Sequence, residues 1–537
     1  MTYQAPEIAW ASLTPVLIVL VAAVLGVLIE AFVRNASDRR MFQMQLSVVA
    51  LAASFFSVIW LWVGLDGGGR VVLDGMLLLD RQSLLWQALI VIFGVGGILL
   101  SAARGKEGED AFAPLASVAP GSGEETVARQ KGFALTEAFP LMLFAVGGMM
   151  LFATVNDLLF LFVALELFSL PLYILVAIAR RRRLLSQEAS LKYFLLGAFS
   201  SAILLFGVAL IFGATGSASR PGITGLYELG IAIPDLAAHH SVILFGLFMV
   251  VVGLLFKIGA VPFHLWVPDA YQGAPTPVTA FMAAATKAAA VAALVRVAYL
   301  VLFRFEWEMN WVIWSVAIAS MVFGTALAIV QTDIKRMLAY SAVAHSGFIL
   351  VAFAGFEPSA ISALPFYLAT YGLATIGAFA VVSQVRELTA DGAAGAEATR
   401  LGQWAGLGKR SPLLAGSMAL FLLSFAGIPL TAGFIGKFVA FRAAIEAGAW
   451  PLVVVAVLAS AASAFFYIRV IVLMFFTDAP DDVSPRVAVH PTGLGKGVVV
   501  ATAFLTFVLG VLPAWALEIT ESAGELFGPV AANMLGG

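Results

Sequence analysis

Cysteine is absent from all 537 residues. That excludes thiolate-held iron–sulfur clusters and zinc, disulfides and thiol nucleophiles. Histidine is scarce too, with five residues: His239, His240, His264, His345 and His490. No two share a helix at a spacing that suits haem or a metal, so the sequence predicts no cofactor and no metal site in this chain. Charged residues make up only 12%, against about 25% in soluble domains. The net charge is −2, which leaves no basic surface for nucleic acid. Gly67-Gly68-Gly69 lacks both the strand–loop–helix setting and the lysine of a phosphate loop, and reads as a turn. Met1 to Trp10 lacks a basic leader region, so the first apolar run reads as a retained helix and not a cleaved signal.

What remains is apolar: 61% of the chain is hydrophobic. A helix needs about 20 apolar residues to cross the hydrocarbon. Fourteen candidate spans follow: 8–33, 41–64, 82–103, 137–154, 157–179, 190–213, 241–270, 276–302, 311–331, 334–355, 361–386, 412–446, 450–476 and 495–519. The fold class is therefore an all-α polytopic membrane protein. Two spans, 241–270 and 412–446, are too long for one crossing and carry Gly and Pro inside, at Gly259/Pro262 and Gly427/Pro429. Interrupted spans in both halves of a transporter point to the transport path and to internal repeats.

Loop charges set the orientation. With the N-terminus outside, inward loops hold 19 Lys and Arg, with Lys335 and Arg336 among them, and outward loops hold 4. The positive-inside rule then predicts both termini outside the cytoplasm. Two inward loops, 104–136 and 387–411, read as solvated, flexible connections.

Seven basic residues fall inside spans: Lys192, Lys257, Lys287, Arg296, Lys437, Arg442 and Arg469. A charge at the bilayer centre costs about 2.5–3.5 kcal/mol on insertion scales. Lys257 lies some sixteen residues into its span, Lys287 near the middle of its own, and Lys437 eight residues beyond Pro429. Glu166, ten residues into 157–179, is the acidic counterpart. Each lysine can be read as a static ion-pair partner or as a proton carrier. Lysine can exchange a proton when buried beside a movable carboxylate, whereas arginine cannot. Lysine at all three deep positions favours relay. His264 and His345 titrate in a range suited to relay and are equally readable as packing histidines. Arg296, Arg442 and Arg469 lie nearer helix ends, where snorkelling or a packing ion pair accounts for them. Snorkelling alone would account for Lys192.

Three runs carry a family resemblance. The first is Leu165 to Tyr173 (Leu-Glu-Leu-Phe-Ser-Leu-Pro-Leu-Tyr) with Glu188 to Phe194 (Glu-Ala-Ser-Leu-Lys-Tyr-Phe). The second is Phe256 to Asp269, running into Tyr271-Gln272-Gly273-Ala274-Pro275-Thr276-Pro277-Val278. The third is Gln331 to Ser341 (Gln-Thr-Asp-Ile-Lys-Arg-Met-Leu-Ala-Tyr-Ser) with His345-Ser346-Gly347. Over residues 137–477 the chain resembles the antiporter-like membrane subunits of bacterial NADH:quinone oxidoreductase, respiratory complex I.

The resemblance implies two inverted five-helix repeats, 137–302 and 311–476, each with a broken helix. Three helices and an inward loop (1–136) would precede them, and one helix with a short tail (495–537) would follow. It implies a proton relay in which Glu166 tunes Lys257, Lys287 is central and Lys437 terminal, with Lys192, His264 and His345 as further positions. Lys192 matches a family lysine in the sixth helix. NADH, FMN, iron–sulfur clusters and quinone would belong to partner subunits. The membrane partners would be the small proximal subunits and a neighbouring antiporter-like subunit. Two features separate branches: the chain ends about eighteen residues after the last span, without the long lateral helix of the distal subunit, and Lys437 stands where a sibling carries glutamate. Rival readings are a subunit of a cation/proton antiporter or membrane-bound hydrogenase, and a purely structural membrane subunit.

Overall fold

The computed structural model describes residues 9–65, 69–104, 111–113, 122–124, 127, 135–217, 219, 221–388, 394–478 and 487–524. The first eight residues, Gly67 and Gly68, most of the 104–136 loop and the tail after 524 lie outside the described residues.

Every expected span is helical. In chain order they are α1 (Trp10–Phe32), α2 (Ala36–Val63), α3 (Arg81–Ala102), α4 (Ala138–Phe152), α5 (Leu158–Ala177) and α6 (Arg183–Thr215). Then come α7 (His240–Ile258), α8 (Trp266–Gly273), α9 (Thr276–Leu300), α10 (Glu306–Ile329), α11 (Ile334–Val351) and α12 (Ser359–Gln384). The last are α13 (Pro412–Ala426), α14 (Ala432–Glu446), α15 (Trp450–Phe476), α16 (Gly493–Val511) and α17 (Ala514–Ser522). Among the described residues, twelve helices are long and apolar enough to cross a membrane, and α4 and α13 are shorter apolar helices.

Both over-long spans are broken where expected, and by one device. Gly259 ends α7 in the left-handed region (φ 77°), its N–H reaching the carbonyls of Leu255 and Phe256. Gly427 ends α13 at φ 78°, with its N–H on Leu423 and Ser424. A residue without Cβ is favoured there, and the following prolines cannot resume the helical ladder. Span 495–519 is also interrupted, at Leu512–Pro513, so that α16 gives way to α17.

The most buried helix is α9, whose most apolar window is wholly buried, with α11 and α12 next. α9 packs on α3, α12 and α7. The peripheral helices α1, α2, α6 and α15 expose apolar side chains such as Phe56, Phe199 and Leu458. An apolar outer surface of this kind suits lipid or apolar partner helices.

Short cross-links sort the connections onto two faces. Phe112 pairs with Ala179, and Asp333 with Arg400, on one face; Leu77 pairs with Val155, and Asp157 with Gly225, on the other. These pairings match the alternation expected from the fourteen spans.

The 387–411 connection is a correction. It is not a loose loop but is ordered against the protein over its described residues. Strands β1 (Val385–Leu388), β2 (Ala394–Glu397) and β3 (Val487–Val489) form an antiparallel sheet in the order β2-β1-β3. Its backbone continues across the start of α11, where Ile334 N–H reaches Thr399 and Leu401 N–H reaches Thr332. A second correction concerns Lys335. It counts among the inward-loop charges, yet it is buried in the first turn of α11.

Candidate functional site

The broken helices place three lysines in the interior: Lys257 near the end of α7, Lys287 in the middle of α9 and Lys437 in α14. All are at most 5% exposed. Among the described residues, no carboxylate lies within ion-pair distance of any of them.

Lys257 Nζ donates to Ser169 Oγ (2.7 Å) on α5. The rings of Phe168, Tyr173 and Tyr193 surround it at 5.4–5.6 Å. Glu166, one turn before Ser169 on α5, makes no ion pair with it. Glu166 Oε1 is buried and has no hydrogen-bond partner. The expected Glu166–Lys257 pair is therefore not a salt bridge in this structure.

Lys287 Nζ donates to the Ala342 carbonyl and to Ser346 Oγ (2.9 Å) on α11. Ser346 Oγ in turn donates to the Ile258 carbonyl (2.8 Å), the residue after Lys257. One hydroxyl thus joins the break in α7 to the centre of α9. The Tyr371 ring of α12 lies 5.1 Å from Lys287 Nζ and 4.8 Å from the His345 ring.

His345 is held from both sides. Nδ1 meets the Tyr367 hydroxyl at 2.7 Å, and Nε2 meets the Tyr467 hydroxyl at 3.4 Å. Tyr467 bonds Ser341. Each of these hydroxyls can donate or accept, so either imidazole tautomer can be accommodated. Phe348 stands 5.5 Å from His345 and 4.5 Å from Lys437 Nζ.

Lys437 folds back from α14 onto the end of α13. Its Nζ donates to the carbonyls of Phe425 (2.8 Å) and Ala426 (3.2 Å) and to Ser460 Oγ (2.7 Å) on α15. The last carbonyls of a helix lack internal partners and carry partial negative charge. The helix break is therefore what supplies the ammonium with acceptors.

Lys192 and His264 lie elsewhere. Lys192 is half exposed and bridges Glu188 (2.6 Å) and Asp269 (2.9 Å). Asp269 also holds Arg336 at 2.8 Å. His264 lines the same cleft of about 460 Å³ as Lys192 and Asp269. Neither residue is bonded to the three buried lysines. Arg296, by contrast, is fully buried against Asp80 at 2.8 Å. Arg442 pairs with Glu446, and Arg469 donates to the Ile329 carbonyl. Sequence reading missed Ser169, Ser346, Ser460, Tyr367, Tyr371 and Tyr467; hydroxyls within apolar spans are the one signal that could have raised them.

Buried lysines and a tyrosine-clamped histidine lie between two broken helices of an apolar bundle, and together they define a polytopic membrane protein with a polar interior. The family described as "NADH:quinone oxidoreductase/Mrp antiporter, TM" matches residues 155–463. "NADH-quinone oxidoreductase subunit N" of Beutenbergia cavernae is 54% identical over 97% of this chain and 99% of its own length. A chain of respiratory complex I from Thermus thermophilus superposes with a TM-score of 0.71 at 33% identity, covering 94% of this chain and 98% of that one. A chain of the Mrp complex from a Dietzia species shares the fold, with a TM-score of 0.78 at 22% identity over 98% of this chain and 99% of that one. The chain belongs to this antiporter-like family and, within it, to the subunit N branch of NADH-quinone oxidoreductase.

Proposed function

We propose that this chain is a proton-translocating membrane-arm subunit of a bacterial NADH:quinone oxidoreductase. The supporting observation is that three buried lysines are held by hydroxyls, carbonyls and rings, with no carboxylate among the described residues within ion-pair distance. Each can change protonation without stranding a partner charge in the interior. A structural cation calls for the opposite arrangement, which Arg296 and Asp80 have.

In this reading protons pass among Lys257, Lys287, His345 and Lys437. Glu166, near Lys257 but not bonded to it, sets the charge state of Lys257 as it approaches or retreats. Ser346 couples Lys257 and Lys287 through the Ile258 carbonyl. His345 passes a proton by exchanging tautomers between Tyr367 and Tyr467. Tyr371 and Phe348 leave ring faces, not hydrogen bonds, on either side of His345, so transfer there needs water or side-chain motion. Lys192 and His264 stand beside the line. The similar helix stops at Gly259 and Gly427 support two repeats, 137–302 and 311–476. NADH, FMN, iron–sulfur clusters and quinone belong to partner subunits, with small proximal subunits and another antiporter-like subunit as membrane neighbours.

The test is NADH-driven proton uptake by the purified assembly in liposomes. Lys287→Met should lower protons moved per electron, with all subunits present. An assembly that does not oxidise NADH, or a Lys287→Met variant that pumps like the wild type, sinks the reading. The charge bias supports an orientation with both termini outside the cytoplasm. Lys409→Cys, in a chain without native cysteine, should react with an impermeant thiol reagent in inverted vesicles and not in intact cells. The reverse pattern overturns that orientation.

A further inference from the structure

On the face that carries the β2-β1-β3 sheet is a cavity of about 150 Å³. Its wall includes Arg180, Arg181, Arg182, Arg386, Glu397 and His490, together with Lys335. The arginines cannot exchange protons at working pH, which leaves Glu397, Lys335 and His490 as the exchangeable groups. Lys335 Nζ donates to the Ala274 carbonyl (2.9 Å) and to Thr276 Oγ1 (3.3 Å). Thr276 opens α9, and its hydroxyl also faces the Glu397 carboxylate.

Glu397 is held in place from several sides. It ends β2, its carbonyl accepts from Arg182 (3.3 Å), and Arg386 stands 3.9 Å from its carboxylate. Thr399, two residues on, accepts from Arg182 and bonds the first residue of α11. Burial pushes the Glu397 carboxyl up, but Lys335, Arg386, Thr276 and Arg182 outweigh it and hold the group below the usual carboxylate range. Asp333 adds its charge at Lys335. From Thr276 to Lys287 is eleven residues along α9, roughly 16 Å at 1.5 Å per residue. Thr276, Ala283 and Lys287 fall on one face of that helix.

We propose that Glu397 and Lys335, linked through the Thr276 hydroxyl, form the proton-exchange site at the inward mouth, and that it feeds Lys287 along α9. The step is a proton hop. A proton on Glu397 passes to the Thr276 oxygen as the Thr276 proton passes to neutral Lys335; one O–H and one N–H form as two O–H bonds break. The sheet is then a working part of the path and not a tether. The proposal rests on the relay reading above.

The test uses the whole assembled complex in membrane vesicles, comparing wild type, Glu397→Gln, Glu397→Asp and Glu387→Gln. Glu387 is a carboxylate of β1, in the same sheet but outside the cavity wall. Glu397→Gln should lower uncoupled NADH:quinone turnover at least tenfold above about pH 8, the scale of a lost acid–base group. The loss should shrink toward acid pH and be reversed in part by millimolar formate. Glu397→Asp should retain most activity, and Glu387→Gln should follow the wild-type profile. A Glu397→Gln loss that ignores both pH and formate, or that Glu387→Gln reproduces, makes the carboxylate a structural latch and overturns the proposal. Wild-type turnover in Glu397→Gln also overturns it. Should Lys287→Met abolish pumping while Glu397→Gln pumps normally, only the inward site fails and the relay stands.

Discussion

Arg296 and Lys287 lie on one helix and are treated in opposite ways. Arg296 meets the buried Asp80 carboxylate at 2.8 Å, with the Ala153 and Leu78 carbonyls beside it. Lys287 has a carbonyl, a hydroxyl and a ring. Breaking a buried ion pair costs about 3–5 kcal/mol, because a charge is left uncompensated. Asp80→Asn should therefore cost assembly, read as loss of the complex on native gels. Glu166→Gln should instead leave the complex intact and lower its pumping, with Glu166→Asp milder because charge survives and only reach is lost. Wild-type pumping in Glu166→Gln removes that residue from the mechanism. Depth along a span is a property of one segment, so the three lysines were legible in the sequence. Their partners were not. Ser169, Ser346 and Ser460 come from other helices, and which helix faces which is decided by packing across the whole bundle. Lys335 was misread for the same reason: the Ala274 carbonyl and the strand that cover it are distant in sequence.

The two helix breaks do more than end helices. At α13 the break frees the Phe425 and Ala426 carbonyls that hold Lys437. A Cβ at Gly427 would lie 3.0 Å from Lys437 Cδ and 3.4 Å from its Nζ, at a φ of +78°. Left-handed backbone costs an L-residue roughly 1–2 kcal/mol. Gly427→Ala should thus lower the melting temperature of the complex modestly and reduce pumping by more than that loss of stability explains. Full pumping in the assembled variant would separate Lys437 from the break. The Gly and Pro that set these breaks were readable from their position inside over-long spans. The fold of 387–411 was not, because its strands pair with residues 487–489 and cross α11. Low local hydrophobicity made it read as solvated, and those distant backbone partners override that local signal.

Across the molecule, the most buried helices, α9, α11 and α12, carry Lys287, His345, Tyr367 and Tyr371, while the periphery exposes apolar side chains. The interior thus holds its polar side chains away from the apolar periphery. The even count of crossings and the loop-charge bias followed from composition alone, since both depend on apolar length and charge. The central claim is that Lys287 carries protons and is not a fixed cation. Lys287→Arg keeps the charge and cannot release a proton at working pH. The decisive quantity is the number of protons moved per electron in vesicles bearing the assembled complex, for Lys287→Arg beside Lys287→Met. The relay predicts that the two fall together, with assembly retained in both. If Lys287→Arg moves protons at most of the wild-type rate, Lys287 is a fixed cation and the account is contradicted.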